Sequence, residues 1–110
     1  MYDPDAPTGS GFWHWIIYNI PSGTTEIKTG AGEASGKKLP KDAITANNDG
    51  GQPGYLGPCP PPGPAHRYII TVYALKSKLE LDKNASAALI GFNLNANMIA
   101  RASIIAYGQK

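Results

Sequence analysis

Cysteine is nearly absent: the 110-residue sequence holds one, Cys59. A single thiol excludes an internal disulfide framework and any metal site built from cysteines alone. Charge of one sign is also lacking. Ten Lys and Arg against eight Asp and Glu leave a formal net charge of +2, too little to point to nucleic acid or a membrane surface. The lysines (Lys28, Lys37, Lys38, Lys41, Lys76, Lys78 and Lys83) are dispersed, with no arginine stripe. No apolar run reaches the ~20 residues a spanning helix needs, so membrane insertion is not expected. Residues 1–5, Met-Tyr-Asp-Pro-Asp, lack the basic and apolar regions of a signal peptide. The expected location is cytoplasmic, or periplasmic or secreted should a signal precede Met1. Internal repeats, a Walker loop and a G-x-S-x-G elbow are all missing.

What the chain has in excess is glycine and proline. Thirteen Gly and ten Pro make about a fifth of the residues, against an ordinary ~12%. The 42% hydrophobic content rules out a disordered tail, which would lack core residues. The glycines and prolines therefore build loops on a folded unit, and the length fits a single domain over residues 1–110.

The chain opens on a polar turn, residues 3–11, whose two prolines hold Asp3 and Ala6 out of helical geometry. Residues 12–20 read as a strand rich in aromatic and β-branched residues, stopped by Pro21. One face carries Phe12, His14, Ile16, Tyr18 and Ile20, the other Trp13, Trp15, Ile17 and Asn19; both are apolar, which predicts a central strand buried on both sides. Residues 22–63 show little periodicity and many breakers, predicting long loops with short strands at most and a turn at Asn48-Asp49-Gly50-Gly51. Residues 57–64, Gly-Pro-Cys-Pro-Pro-Pro-Gly-Pro, suit a polyproline II ligand taken alone. They run directly into another strand, residues 66–75, which makes them part of the domain. Asn84 or Ser86 is placed to cap a helix reaching about residue 100, with Ala88, Leu89, Phe92, Met98 and Ile99 as its core stripe. The Asn84-Ala85-Ser86 triplet also fits a glycosylation acceptor, but capping is the role preferred here. A short strand, residues 104–107, closes the chain.

Two Gly/Pro-rich loops each feed a strand, and the only two histidines, His14 and His66, lie near the two strand starts. Brought together, His14, His66, Asp3 and Asp5 would line one cavity with stiff proline walls and backbone N–H groups near Gly57. Plainer roles stand beside this: satisfied structural histidines, aspartates bonded to their own turn, and Tyr68 and Trp13 as core. A metal site of His14, His66 and Asp3 is countable but lacks tight ligand spacing. Cys59 among prolines has no neighbouring feature that would activate a thiol.

Residues 3–7 (Asp-Pro-Asp-Ala-Pro), residues 12–15 (Phe-Trp-His-Trp), residues 54–61 (Gly-Tyr-Leu-Gly-Pro-Cys-Pro-Pro) and residues 66–68 (His-Arg-Tyr) resemble the two signature blocks of the phosphatidylethanolamine-binding protein family. The likeness is to its bacterial and archaeal Raf-kinase-inhibitor-like branch. It implies a mainly β fold of antiparallel character with peripheral helices, and a non-enzymatic pocket for phosphate, phosphorylethanolamine-like headgroups or carboxylates, without cofactor or metal. Carried over by motif, the ligand-binding residues would be Asp3, Asp5, Pro7, His14, Gly57, Pro58, Pro60, His66 and Tyr68. His14 and His66 would donate to the anion, Asp3 and Asp5 would orient the imidazoles or meet an ammonium, and Arg67 would make a structural ion pair. The resemblance also supports a second reading, a protease or kinase inhibitor or scaffold acting on a protein partner through surface loops. Leu56 stands where a second glycine is common, and Asn97 where a histidine is. The strands that precede the first block in the family have no counterpart here. The expectation is a fragment covering the C-terminal two-thirds or so of the fold, with an exposed sheet edge open to homodimer formation.

Overall fold

The computed structural model describes residues 1–110. In chain order the elements are β1 (Tyr2–Asp3), β2 (Phe12–Trp13), β3 (Ile17–Tyr18), β4 (Ile44–Thr45), β5 (His66–Leu75), α1 (Ala87–Asn97) and β6 (Met98–Gly108). A four-stranded antiparallel sheet has the order β2-β1-β5-β6, and β3 pairs with β4 in a separate ribbon. The fold is mainly β, as expected, with one helix rather than several.

β5 occupies the residues its β-branched and aromatic content predicts. It pairs with β6 from His66↔Gly108 to Leu75↔Met98, with a bulge between Ala74 and Leu75. The terminal strand is therefore much longer than the four residues expected. Residues 99–103 (Ile-Ala-Arg-Ala-Ser) carry a weak strand signal of their own, and pairing along all of β5 supplies what their composition lacks.

The strand expected over residues 12–20 is instead split into β2 and β3. His14, Ile16 and Tyr18 are buried on one side, while Trp13, Trp15 and Ile17 are half-buried on the other. Asn19 ends the run in left-handed backbone at φ 58°, its side chain bonded both ways to Leu79: Nδ2 donates to the carbonyl at 2.9 Å and Oδ1 accepts from the amide at 2.8 Å. Asn tolerates that conformation better than its neighbours would.

Helix α1 starts at the expected cap, where the Ser86 hydroxyl accepts from the Leu89 amide at 3.2 Å. It ends at Asn97, short of residue 100, and its buried residues are Ala87, Ile90 and Leu94. Leu89 and Phe92, expected in the stripe, are 48% and 71% exposed. The helix is apolar on more than one side, so spacing alone chose the wrong phase. Ile90 and Leu94 join Ile16, Tyr18, Ala46, Leu79 and Ala87 in the core, with Trp13, Ile44, Tyr73 and Leu75 packed against it.

Candidate functional site

Asp3, on β1, sits beside the start of β5 because Tyr2 pairs with Ile69. Asp3 is 3% exposed, and its carboxylate is satisfied twice. Oδ1 accepts from the Asp5 amide at 2.8 Å, an Asx turn of the kind the Asp-Pro-Asp sequence favours, and Oδ2 accepts from His66 Nδ1 at 2.8 Å. His14 follows β2 and is tied to the proline-rich loop in both directions. Its Nδ1 donates to the Leu56 carbonyl at 2.9 Å, and the Leu56 amide donates to the His14 carbonyl at 2.9 Å. His14 and His66 are 6% and 7% exposed.

These partners dictate the imidazole tautomers. A carbonyl and a carboxylate only accept, so each Nδ1 carries a proton. In a neutral ring the other nitrogen, Nε2, is then a bare lone pair. Neither Nε2 has a hydrogen-bond partner in the protein, and neither is sealed from solvent. The Tyr68 hydroxyl is in the same position on a residue only 2% exposed. Tyr68 is close to both imidazoles, with ring centroids 5.4 Å from His14 and 6.4 Å from His66. Its phenol is pushed above the ordinary range by burial, then by the charges of Asp3 and Cys59, which keeps the donor proton in place at neutral pH.

These groups line one cavity of about 450 Å³. Its wall includes Asp3, His14, His66, Tyr68, Gly57, Pro7 and Pro60, together with Phe12, Leu56, Cys59 and Lys110. The Gly57 amide makes no backbone or side-chain hydrogen bond within the protein. Pro60 is buried, so the proline run is a wall of the cavity.

Asp5 and Pro58 lie outside that lining. Arg67 claims the Asp5 carboxylate: its amide and Nε donate to Oδ2 at 2.8 and 2.9 Å, and Nη2 donates to Oδ1 at 2.8 Å. The Arg67 side chain, then its amide, hold Asp5 well below the usual carboxylate range. Arg67 thus makes the ion pair expected of it, and with the residue that had been expected to orient a histidine. No set of three His, Cys, Asp or Glu side chains is arranged to hold a metal ion.

Two positioning residues escaped the sequence reading. Asn48, 6% exposed, donates from Nδ2 to the Gly54 carbonyl at 3.1 Å and accepts the Gly50 amide at 2.9 Å. Asp49 accepts the Trp13 amide at 2.8 Å and returns its own amide to the Trp13 carbonyl at 2.9 Å. Both sit in a turn the sequence marks clearly, but nothing in the local pattern says the turn reaches β2.

The chain matches the model of the phosphatidylethanolamine-binding protein family over residues 1–109. It belongs to that family. Among relatives, the UPF0098 protein YbcL of Escherichia coli is 51% identical over 106 residues, covering 94% of this chain and 58% of its own length. YbhB of the same organism is 44% identical over 106 residues, covering 96% of this chain and 66% of the relative. The crystal structure of YbcL, described as a new member of the mammalian PEBP family, superposes with a TM-score of 0.95 at 49% identity, covering 99% of this chain and 68% of that one. A putative PEBP homolog, CT736 of Chlamydia trachomatis, gives a TM-score of 0.79 at 26% identity. The chain thus spans 58% of YbcL and 66% of YbhB. Across that span it carries the family fold. No helix is long and apolar enough to cross a membrane.

Proposed function

We propose that this family member binds a small oxyanion (phosphate, a phosphorylethanolamine-like headgroup or a carboxylate) in the His14/His66 cavity, without making or breaking a bond. One observation supports this most: three side chains, His14, His66 and Tyr68, are at least nine-tenths buried and present unpartnered polar atoms to the same space. Those atoms have no protein partner and face the open cavity, so a ligand oxyanion can take the place of water and accept from all three at once. Tyr68 donates as it stands. Each imidazole presents its Nε2 to the anion and meets it as a donor when that nitrogen carries a proton. The Gly57 amide adds an uncharged donor, and Asp3 behind His66 orients the ring by accepting from its Nδ1.

Calorimetric titration with phosphate and phosphorylethanolamine tests the reading. Saturable binding is expected, with Tyr68→Phe weakening it about tenfold, the value of one net hydrogen bond. A folded chain that binds neither ligand, or a Tyr68→Phe variant that binds equally well, contradicts it. No turnover of phosphoesters is expected.

A further inference from the structure

Cys59 plays no part in the anion binding just described, yet it lines the same cavity and is exposed to solvent. Pro58 and Pro60 flank it, fixing the backbone on either side. Pro60 is itself buried in the cavity wall, so the backbone that carries the thiol is fixed at that wall. The chain has no second cysteine, and the partner for any disulfide must come from outside. The cavity also offers the free polar atoms of His14, His66 and Tyr68, which suit a carboxylate.

We propose that Cys59 is a redox gate on this pocket, captured as a mixed disulfide by a small disulfide that carries carboxylates. This rests on the anion-binding reading above. A carboxylate of the incoming molecule docks on His14, His66 and Tyr68, holding its sulfur close to Cys59 and making the exchange effectively intramolecular. The Cys59 thiol first gives up its proton, and the thiolate attacks the nearer sulfur of the small disulfide. A new S–S bond forms as the old one breaks. The departing half leaves as a thiolate and takes up a proton, so protons balance. Cys59 sulfur is oxidised and the departing sulfur is reduced. The tethered half keeps its carboxylate on the histidines and excludes other oxyanions until a thiol reductant removes it.

The test compares the rates of adduct formation with glutathione disulfide and with neutral hydroxyethyl disulfide, read by mass spectrometry. An unstructured peptide of residues 56–61 gives the intrinsic ratio. The ratio in the protein is expected to exceed that in the peptide by about tenfold or more, since docking raises local concentration. Phosphate should slow the glutathione reaction and not the neutral one, with chloride at equal ionic strength as control. The adduct should lose phosphate binding and regain it with dithiothreitol, and Cys59→Ser should form no adduct. A ratio equal to the peptide's, in protein that still binds phosphate, overturns the gate and leaves the pocket reading standing. An equal ratio in folded protein that also fails to bind phosphate overturns both. The phosphate competition needs no variant, so a destabilised mutant cannot obscure the result.

Discussion

His14 and His66 share a chemical constraint that their sequence positions do not express: each has a partner that can only accept, and each therefore keeps its Nδ1 proton. The two aspartates nearby have opposite fates. Asp3 accepts from both His66 Nδ1 and the Asp5 amide. Asn in its place has one oxygen and cannot satisfy both donors, so Asp3→Asn should destabilise the fold by about 1–3 kcal/mol and weaken anion binding, checked by denaturant unfolding and calorimetry. Asp5→Asn should leave anion affinity unchanged, because that carboxylate faces Arg67. It should instead change the response to acid. A carboxyl held below its ordinary value adds stability that is complete above about pH 4 and is lost as pH falls toward the depressed value. The gap in melting temperature between native chain and Asp5→Asn should therefore be widest at neutral pH and narrow below about pH 4. A gap that stays constant down the acid range would contradict this.

At the scale of elements, the site is built by very short strands and by loops held with side-chain bonds. β1 and β2 have two residues each, and Asn48, Asp49 and Leu56 make up for the missing ladder. Gly54 is one point where this scheme tolerates no side chain: its φ is +91°, and a Cβ would lie 2.7 Å from the Gly32 carbonyl oxygen. Gly54→Ala should cost more than about 1 kcal/mol and weaken anion binding through displacement of the loop carrying Leu56 and Gly57, as melting and titration would reveal together. β5, the Ser86 cap and the turn at residues 48–51 were legible because period, capping residue and Asn-Asp-Gly-Gly chemistry are local signals. The break between β2 and β3, the phase of α1 and the length of β6 were not. Each depends on what packs or pairs from elsewhere: Leu79 on Asn19, Ile16 and Leu79 beside Ile90, and β5 along β6. The same divide runs through the site. The motifs named His14, His66, Tyr68 and Asp3, while the loss of Asp5 to Arg67 becomes visible only once β1 and β5 lie side by side.

Over the whole molecule, apolar surface is distributed unevenly. Only 16 of 110 residues are buried, and they gather around α1, the β3–β4 ribbon and the cavity. Much of the β5–β6 pair is bare on both faces: Val72 and Ile104 are each 67% exposed, and Ile105 and Tyr107 on the opposite face are 51% and 71% exposed. β6 is also an edge strand. A long, flat, apolar edge is prone to pair with another chain, so the 110-residue chain is expected to self-associate, and Ile104→Lys should raise its monomer fraction in sedimentation velocity. A chain that is monomeric before the substitution would contradict this. The cavity lies at the His66 end of β5, away from Val72, so the same variant should leave anion affinity unchanged.

The most direct test of the pocket is calorimetry of sulfate binding to the native chain and to its His14→Ala and His66→Ala variants. The native chain should bind saturably, and each variant should bind about tenfold or more weakly, the loss expected on removing one hydrogen-bonding partner of the anion. Variants that stay folded and bind sulfate as tightly as the native chain would contradict the assignment of His14 and His66 Nε2 as the atoms that hold the anion.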